Sequence, residues 1–342
     1  DVVAYLKFDA ESHSDGLPIQ LLQKLPKKLW QMFVILFYAK LSLGNNNKDL
    51  SKAFVRIALY WLLVAPTSEE TANIVHQFIE LIKKKINSET KSIEAVFDFE
   101  IELINLIDGY SRKNNASFAK LIPLSVFKDL TVTNSGFSKD MPSIIRRKYK
   151  LDDNNRYQMG SLFWWNKNLL LWLQRNYLNQ LNNDDTLKVL SDFTLYDFDH
   201  IIPQHLWAGN SKVAQKMKSD FFKADDLWEI GHSIGNFQLL KFTENRSKGS
   251  KTYPEWMSEL EVNSKKDKML ENSILEQSHN LFSETVKEGE WNFEQSNKFV
   301  QAVEMRIYHL YTEFLKIYDE NSIYFYSEIN PSENKHPSKT DQ

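Results

Sequence analysis

The chain has 342 residues, of which 42% are apolar and 25% charged, with a formal net charge of −3. This is ordinary globular usage, long enough for one large core or two to three smaller ones, and a mildly acidic balance argues against a dedicated nucleic-acid coating protein. The absence of cysteine excludes disulfides, thiolate zinc sites and cysteine nucleophiles, and with only 10 Gly and 9 Pro there is little room for a turn-rich all-β protein.

Asp1 to Pro18 mixes polar and small residues and predicts an arm or short extended entry. Helical spacing begins at Ile19, with Leu21, Leu22, Leu25, Leu29, Met32, Phe33, Leu36 and Phe37 at three- and four-residue steps. Pro18 and Pro26 suit helix starts, and Gly44-Asn45-Asn46-Asn47 ends the stretch. A second helix through Phe54, Ile57, Trp61 and Val64 stops before Pro66. Thr67-Ser68-Glu69-Glu70 caps the next, which closes with Lys83-Lys84-Lys85 at the negative end of its dipole. Further helices are predicted over 89–110 and 116–130, followed by a polar, irregular stretch over 131–140.

Arg146-Arg147-Lys148-Tyr149-Lys150 is the densest basic cluster, and both phosphate contact and a solvated linker fit it. Ser161 to Leu181 predicts one centrally buried helix, apolar around nearly its whole circumference. Its tryptophans suit core packing, with base stacking as the alternative. Beyond residue 251, helices are expected over 253–260, 268–281 and 292–318, and Ser332 to Gln342 has the composition of a disordered tail.

Between these helices the pattern changes. Leu195, Asp197 and Asp199 alternate with Tyr196, Phe198 and His200, a two-residue period that suits a strand closed by Pro203. Ile234 to Leu240 suits a second strand. Asn245, Lys248 and Lys251 then fall at three-residue steps, along one side of a short helix. Phosphodiester hydrolysis needs an activated water and positive charge on the transferring phosphoryl group. Imidazole is the best available base near neutral pH, and magnesium prefers few, hard oxygen ligands. His200 therefore stands as base candidate, with the Asp199 carboxylate and the Asn245 amide oxygen as metal-ligand candidates. His205 and His232 fit either a catalytic or a structural role.

Asp197-Phe198-Asp199-His200-Ile201-Ile202-Pro203-Gln204, Ile234-Gly235-Asn236-Phe237-Gln238-Leu239-Leu240 and Asn245-Arg246-Ser247-Lys248 together resemble the HNH (His-Me finger, ββα-metal) nucleases. The resemblance is to the HNH domain at the C-terminal end of GmrSD-type modification-dependent restriction enzymes and SspE-like anti-phage proteins. It is specific over 160–256, where Leu170-Leu171-Trp172-Leu173-Gln174-Arg175 also resembles the helix preceding that motif. It implies His200 as general base, Asp199 and Asn245 as ligands of Mg²⁺ (or Mn²⁺), and Asn236 as the asparagine bracing the loop between strands. Asp197 would orient the site, and Arg246, Lys248 and Lys251, with Arg146, Arg147 and Lys148, are phosphate-contact candidates. His205 departs from the family, where a small polar residue is common, and with no knuckle cysteines no zinc is expected.

The expected fold class is mainly α with a small ββα-metal insert flanked by a helical bundle. Its parts would be an N-terminal helical region (1–150), the nuclease core (151–260), C-terminal helices packing on it (261–331) and the tail (332–342). The resemblance implies a metal-dependent DNA endonuclease acting as effector of an anti-phage restriction system. DNA and an upstream NTPase or modification-sensing domain are the expected partners, since the chain starts at Asp1 and carries no glycine-rich phosphate loop. No apolar run or signal peptide suggests a membrane, and the bacterial cytoplasm is the expected location. A helical DNA-binding or docking module with an inert HNH remnant, and an HNH toxin, are the alternatives.

Overall fold

The computed structural model describes residues 2–41, 47–86, 97–114, 120–124, 163–182, 195–207, 230–285, 293–319 and 322–325, with isolated positions between them. It is mainly helical, with one two-stranded antiparallel sheet. The stretches 131–140, Arg146 to Lys150 and 332–342, and most of 116–130, lie outside the described residues.

Helices form where apolar spacing demands them. The first run is split by Pro26 into α1 (Ile19–Leu22) and α2 (Lys27–Leu41), because proline lacks the N–H that would continue the hydrogen-bond ladder. Next, α3 (Asn47–Val64) stops at Ala65, whose φ of 42° leaves the helical region. In α4 (Ser68–Lys85) the expected capping box is present: Glu70 N–H donates to Thr67 Oγ1 at 3.2 Å, and Thr67 N–H donates back to Glu70 Oε2 at 2.8 Å. The helix expected from residue 89 is described as α5 (Phe99–Asn114). Its Glu100 pairs with Arg56 of α3 and accepts from the Tyr324 hydroxyl at 2.9 Å, so three distant segments meet at one carboxylate. The opening residues are more ordered in pattern than an extended arm. A 3-10 turn spans Val2–Tyr5, and Lys7 bridges to Leu17 with Leu6 and Leu17 fully buried.

The single helix expected over 161–181 is instead broken. A 3-10 turn (Lys167–Leu169) leads into α6 (Leu170–Leu173), and α7 (Arg175–Asn182) follows. The break falls at Gln174, which has φ −103° and is buried. Its amide is used away from the helix: Nε2 donates to the Asn272 carbonyl at 2.7 Å and Oε1 accepts from Leu239 N–H at 3.0 Å. The expectation of central burial holds, since Leu169 to Trp172 are at most 2% exposed.

The two strands are β1 (Tyr196–His200) and β2 (Phe237–Lys241), paired with Asp199 opposite Gln238 and His200 opposite Phe237. Short α8 (Gln204–Trp207) follows β1, and α9 (Phe242–Lys248) follows β2 directly, giving strand, strand, helix. The second strand starts later than expected. Ile234–Asn236 forms a 3-10 turn pressed against the long C-terminal helix, where an added Cβ on Gly235 would sit 2.5 Å from the Val303 carbonyl oxygen. Beyond it, α10 (Tyr253–Val262) carries a second capping box between Thr252 and Glu255. The helix expected over 268–281 is divided into α11 (Lys266–Ser273) and α12 (His279–Glu284) by Ile274, whose φ of 52° ends the first. The long helix α13 (Phe293–Leu315) closes the described core. One cluster of buried side chains runs from Val2 to Phe325, joining N-terminal helices, sheet and C-terminal helices.

Candidate active site

Strand alternation divides the functional residues between two faces of the sheet. Asp197 and Asp199 project to the side covered by α9, and His200 to the other. On the first side, Asn245 Nδ2 donates to Asp197 Oδ2 at 2.9 Å. One helical turn later, Lys248 Nζ reaches Asp199 Oδ2 at 2.5 Å and also donates to the His200 backbone carbonyl. Gln238, opposite Asp199 in the ladder, donates its amide to the same Oδ2 at 2.9 Å. The helix predicted by three-residue spacing thus places Asn245 and Lys248 against the two aspartates.

Lys248 is where expectation and structure part. A phosphate contact needs an exposed cation, but Lys248 is 1% exposed and its ammonium is held by the site's own carboxylate. Burial lowers its pKa, and the Asp199 carboxylate beside it opposes the fall. Lys251 falls beyond the end of α9, pairs with Glu259 and donates to the Ser247 carbonyl, so it does not extend the row. Arg246 is exposed, its guanidinium 5.4 Å from the Phe242 ring centroid, and remains placed to meet a ligand. His205 is exposed on α8. Arg146, Arg147 and Lys148 lie outside the described residues.

On the other face, the His200 ring packs 4.3 Å from that of Phe237 and 5.3 Å from those of Trp207 and His232, centroid to centroid. Its Nε2 is buried and has no hydrogen-bond partner among the described residues. Burial, reinforced by His232, Lys248 and Lys167, lowers its pKa from 6.5 to about 3, so the imidazole is neutral throughout the physiological range. A neutral ring can accept a proton, which a base requires, but a low pKa weakens the driving force for doing so.

Asn236 has a bracing geometry. It is fully buried; its Oδ1 accepts from Ile202 N–H at 2.9 Å, and its Nδ2 donates to the Gly231 carbonyl at 3.0 Å and the Ile202 carbonyl at 3.3 Å. Trp207 Nε1 adds a bond to the Ile202 carbonyl at 2.9 Å. These bonds fix the chain two residues past His200.

Among the described residues no group of three or more His, Asp or Glu side chains is placed to hold a metal ion. The smaller mixed set of Asp199, Asn245 and Asp197 can be tested on its own atoms. Both bonds to Asp199 land on Oδ2, and Asn245 presents its nitrogen to Asp197. Asp199 Oδ1, Asp197 Oδ1 and Asn245 Oδ1 are therefore the remaining acceptors, hard oxygens of the kind magnesium takes. The donor chemistry fits, with the Lys248 ammonium sharing the carboxylate.

Two supports were not anticipated from sequence. Arg306 on α13 is fully buried and donates to the carbonyls of Gly235 (2.9 Å), Phe237, Ile234 (3.3 Å) and Ser273 (2.8 Å). Burial pulls its pKa down to about 9. The available signal was its position on the apolar stripe, between Val303 and Leu310. Tyr177 on α7 accepts from Lys241 N–H at 2.9 Å and donates to Glu244 at 3.1 Å, tying the end of β2 to the start of α9.

No helix among the described residues is long and apolar enough to cross a membrane. No protein-family model, curated protein or solved structure matches the chain.

Proposed function

We propose that the chain is a metal-dependent DNA endonuclease of the HNH type, the effector part of an anti-phage restriction system. The observation that carries this is the strand–strand–helix arrangement, which puts Asp199, Asp197 and Asn245 on one side of the sheet and His200 at the adjoining end of β1. Asp199 and Asn245 would hold magnesium through their remaining oxygens, and Asp197 would orient the Asn245 amide. When bound, the ion supplies positive charge to the phosphoryl group being cleaved. His200, neutral, would take the proton from the attacking water, for which its buried Nε2 must open to the site. Asn236 holds the loop that follows at Ile202.

Supercoiled plasmid incubated with the purified chain and Mg²⁺ or Mn²⁺ tests this. Nicking is expected from the wild type and lost in His200→Ala and Asn245→Ala. Equal nicking by all three proteins sinks the proposal.

A second reading, a helical DNA-binding or docking module with an inert HNH remnant, is favoured by two features: His200 is enclosed by aromatic rings and Lys248 holds Asp199. DNA binding with no cleavage under any divalent ion would support it.

A further inference from the structure

A cavity of about 430 Å³ opens beside the end of β2, between α7, α10 and α11. None of Asp199, His200 or Asn245 lines it. We infer that it binds a nucleoside monophosphate unit, an apolar ring joined to a phosphate.

The volume lies within the roughly 300–1,000 Å³ typical of small-molecule sites. Its floor is apolar, with Leu239, Leu260 and Met269 buried in the walls. Trp256 also lines it and is only 3% exposed, so its ring forms part of the wall. A nucleobase offers a flat apolar face for these walls to cover, which a simple anion lacks.

The rim supplies the complementary charge. Lys265 and Lys268 line it, are exposed, and neither makes an ion pair among the described residues. Phosphate on the rim and base on the floor fit this division. Glu244 points the same way. A carboxylate would repel a bare anion, but it accepts from the Tyr177 hydroxyl at 3.1 Å and can accept from an exocyclic amine or sugar hydroxyl as well.

The unit can come from a free nucleotide or from a DNA strand crossing the neighbouring site. Binding is read without divalent ions, so that it does not depend on cleavage. The probes are deoxyadenosine and deoxyguanosine monophosphate, inorganic phosphate and a short single-stranded oligodeoxynucleotide, titrated against the full chain by calorimetry. Two variants are compared with wild type: Lys265→Glu/Lys268→Glu, both exposed, and Met269→Ala, which removes part of the apolar wall. Saturable binding of a monophosphate, weakened at least tenfold by the double charge reversal and measurably by Met269→Ala, supports a free-nucleotide site. The same pattern for the oligonucleotide alone supports a strand-binding site. Absence of saturable binding by every probe, equal binding by wild type and variants, or inorganic phosphate binding as tightly as the nucleotides overturns the assignment. Unchanged thermal melting of the double variant separates lost binding from lost fold.

Discussion

Replacing Asn236 by alanine should cost more than almost any other single truncation near the sheet. The side chain serves three backbone groups: Ile202 N–H, the Ile202 carbonyl and the Gly231 carbonyl. The Ile202 carbonyl keeps the Trp207 indole at 2.9 Å, so truncation orphans two groups, not three. At about 1–3 kcal/mol for each buried group left unsatisfied, the loss is about 2–6 kcal/mol, with a small cavity added. Urea unfolding followed by tryptophan fluorescence reads this as a lowered midpoint at unchanged slope. Asn236→Asp is the informative control. A carboxylate can still accept from Ile202 N–H but cannot donate to Gly231, and it buries a charge, so it should be at least as damaging as alanine. A loss below about 1 kcal/mol in Asn236→Ala, or wild-type stability in Asn236→Asp, would refute the bracing role.

Gly235→Ala should destabilise by about 1–3 kcal/mol, because its Cβ would meet the Val303 carbonyl oxygen at 2.5 Å and Ile307 Cγ1 at 2.6 Å; the same unfolding assay checks it. Arg306→Met should cost about 3 kcal/mol or more by stripping the buried Gly235, Phe237 and Ser273 carbonyls of this donor, the Ile234 carbonyl keeping the Phe237 N–H, and Arg306→Lys should recover only part, since one ammonium cannot reproduce the guanidinium fork. Stability should also fall on acidification. The folded pKa of His200, about 3, lies below its unfolded value near 6.5, so its contribution is complete above pH 6.5 and is lost as pH drops toward 3. The slope is about 1.4 kcal/mol per pH unit, and His232, also lowered by burial, adds to it. His200→Phe should flatten that slope between pH 6 and 4 in unfolding titrations; an unchanged slope would refute the assignment.

What the sequence revealed about the fold was local. The two-residue alternation through Tyr196 to His200 and the three-residue step from Asn245 to Lys248 each report the geometry of one element, and both elements form as expected. The Thr67 and Glu70 cap was equally visible, being complete within four residues. What escaped was set by partners far along the chain. Nothing near Gln174 announces that its amide will bridge Leu239 and Asn272 and interrupt an apolar helix. Lys248 resembled a surface cation until the sheet placed Asp199 against it, and Lys251 followed the helical step until Gly249, at φ 53°, turned the chain away. Arg306 lay in plain view on an apolar stripe, but its meaning depended on where the Ile234–Asn236 turn would pack.

That arginine also determines how the protein can be cut. The two strands and α9 are contiguous enough in sequence, from 196 to 248, to invite transplantation as a cassette. Yet the turn that launches β2 is pinned by a guanidinium arriving from some 70 residues downstream. A fragment ending after α9 would carry the Asp199, His200 and Asn245 set without the donor that shapes its second strand. The smallest piece able to hold its geometry therefore extends through α13 to Leu315, and any chimera or truncation series should place its C-terminal boundary beyond that residue.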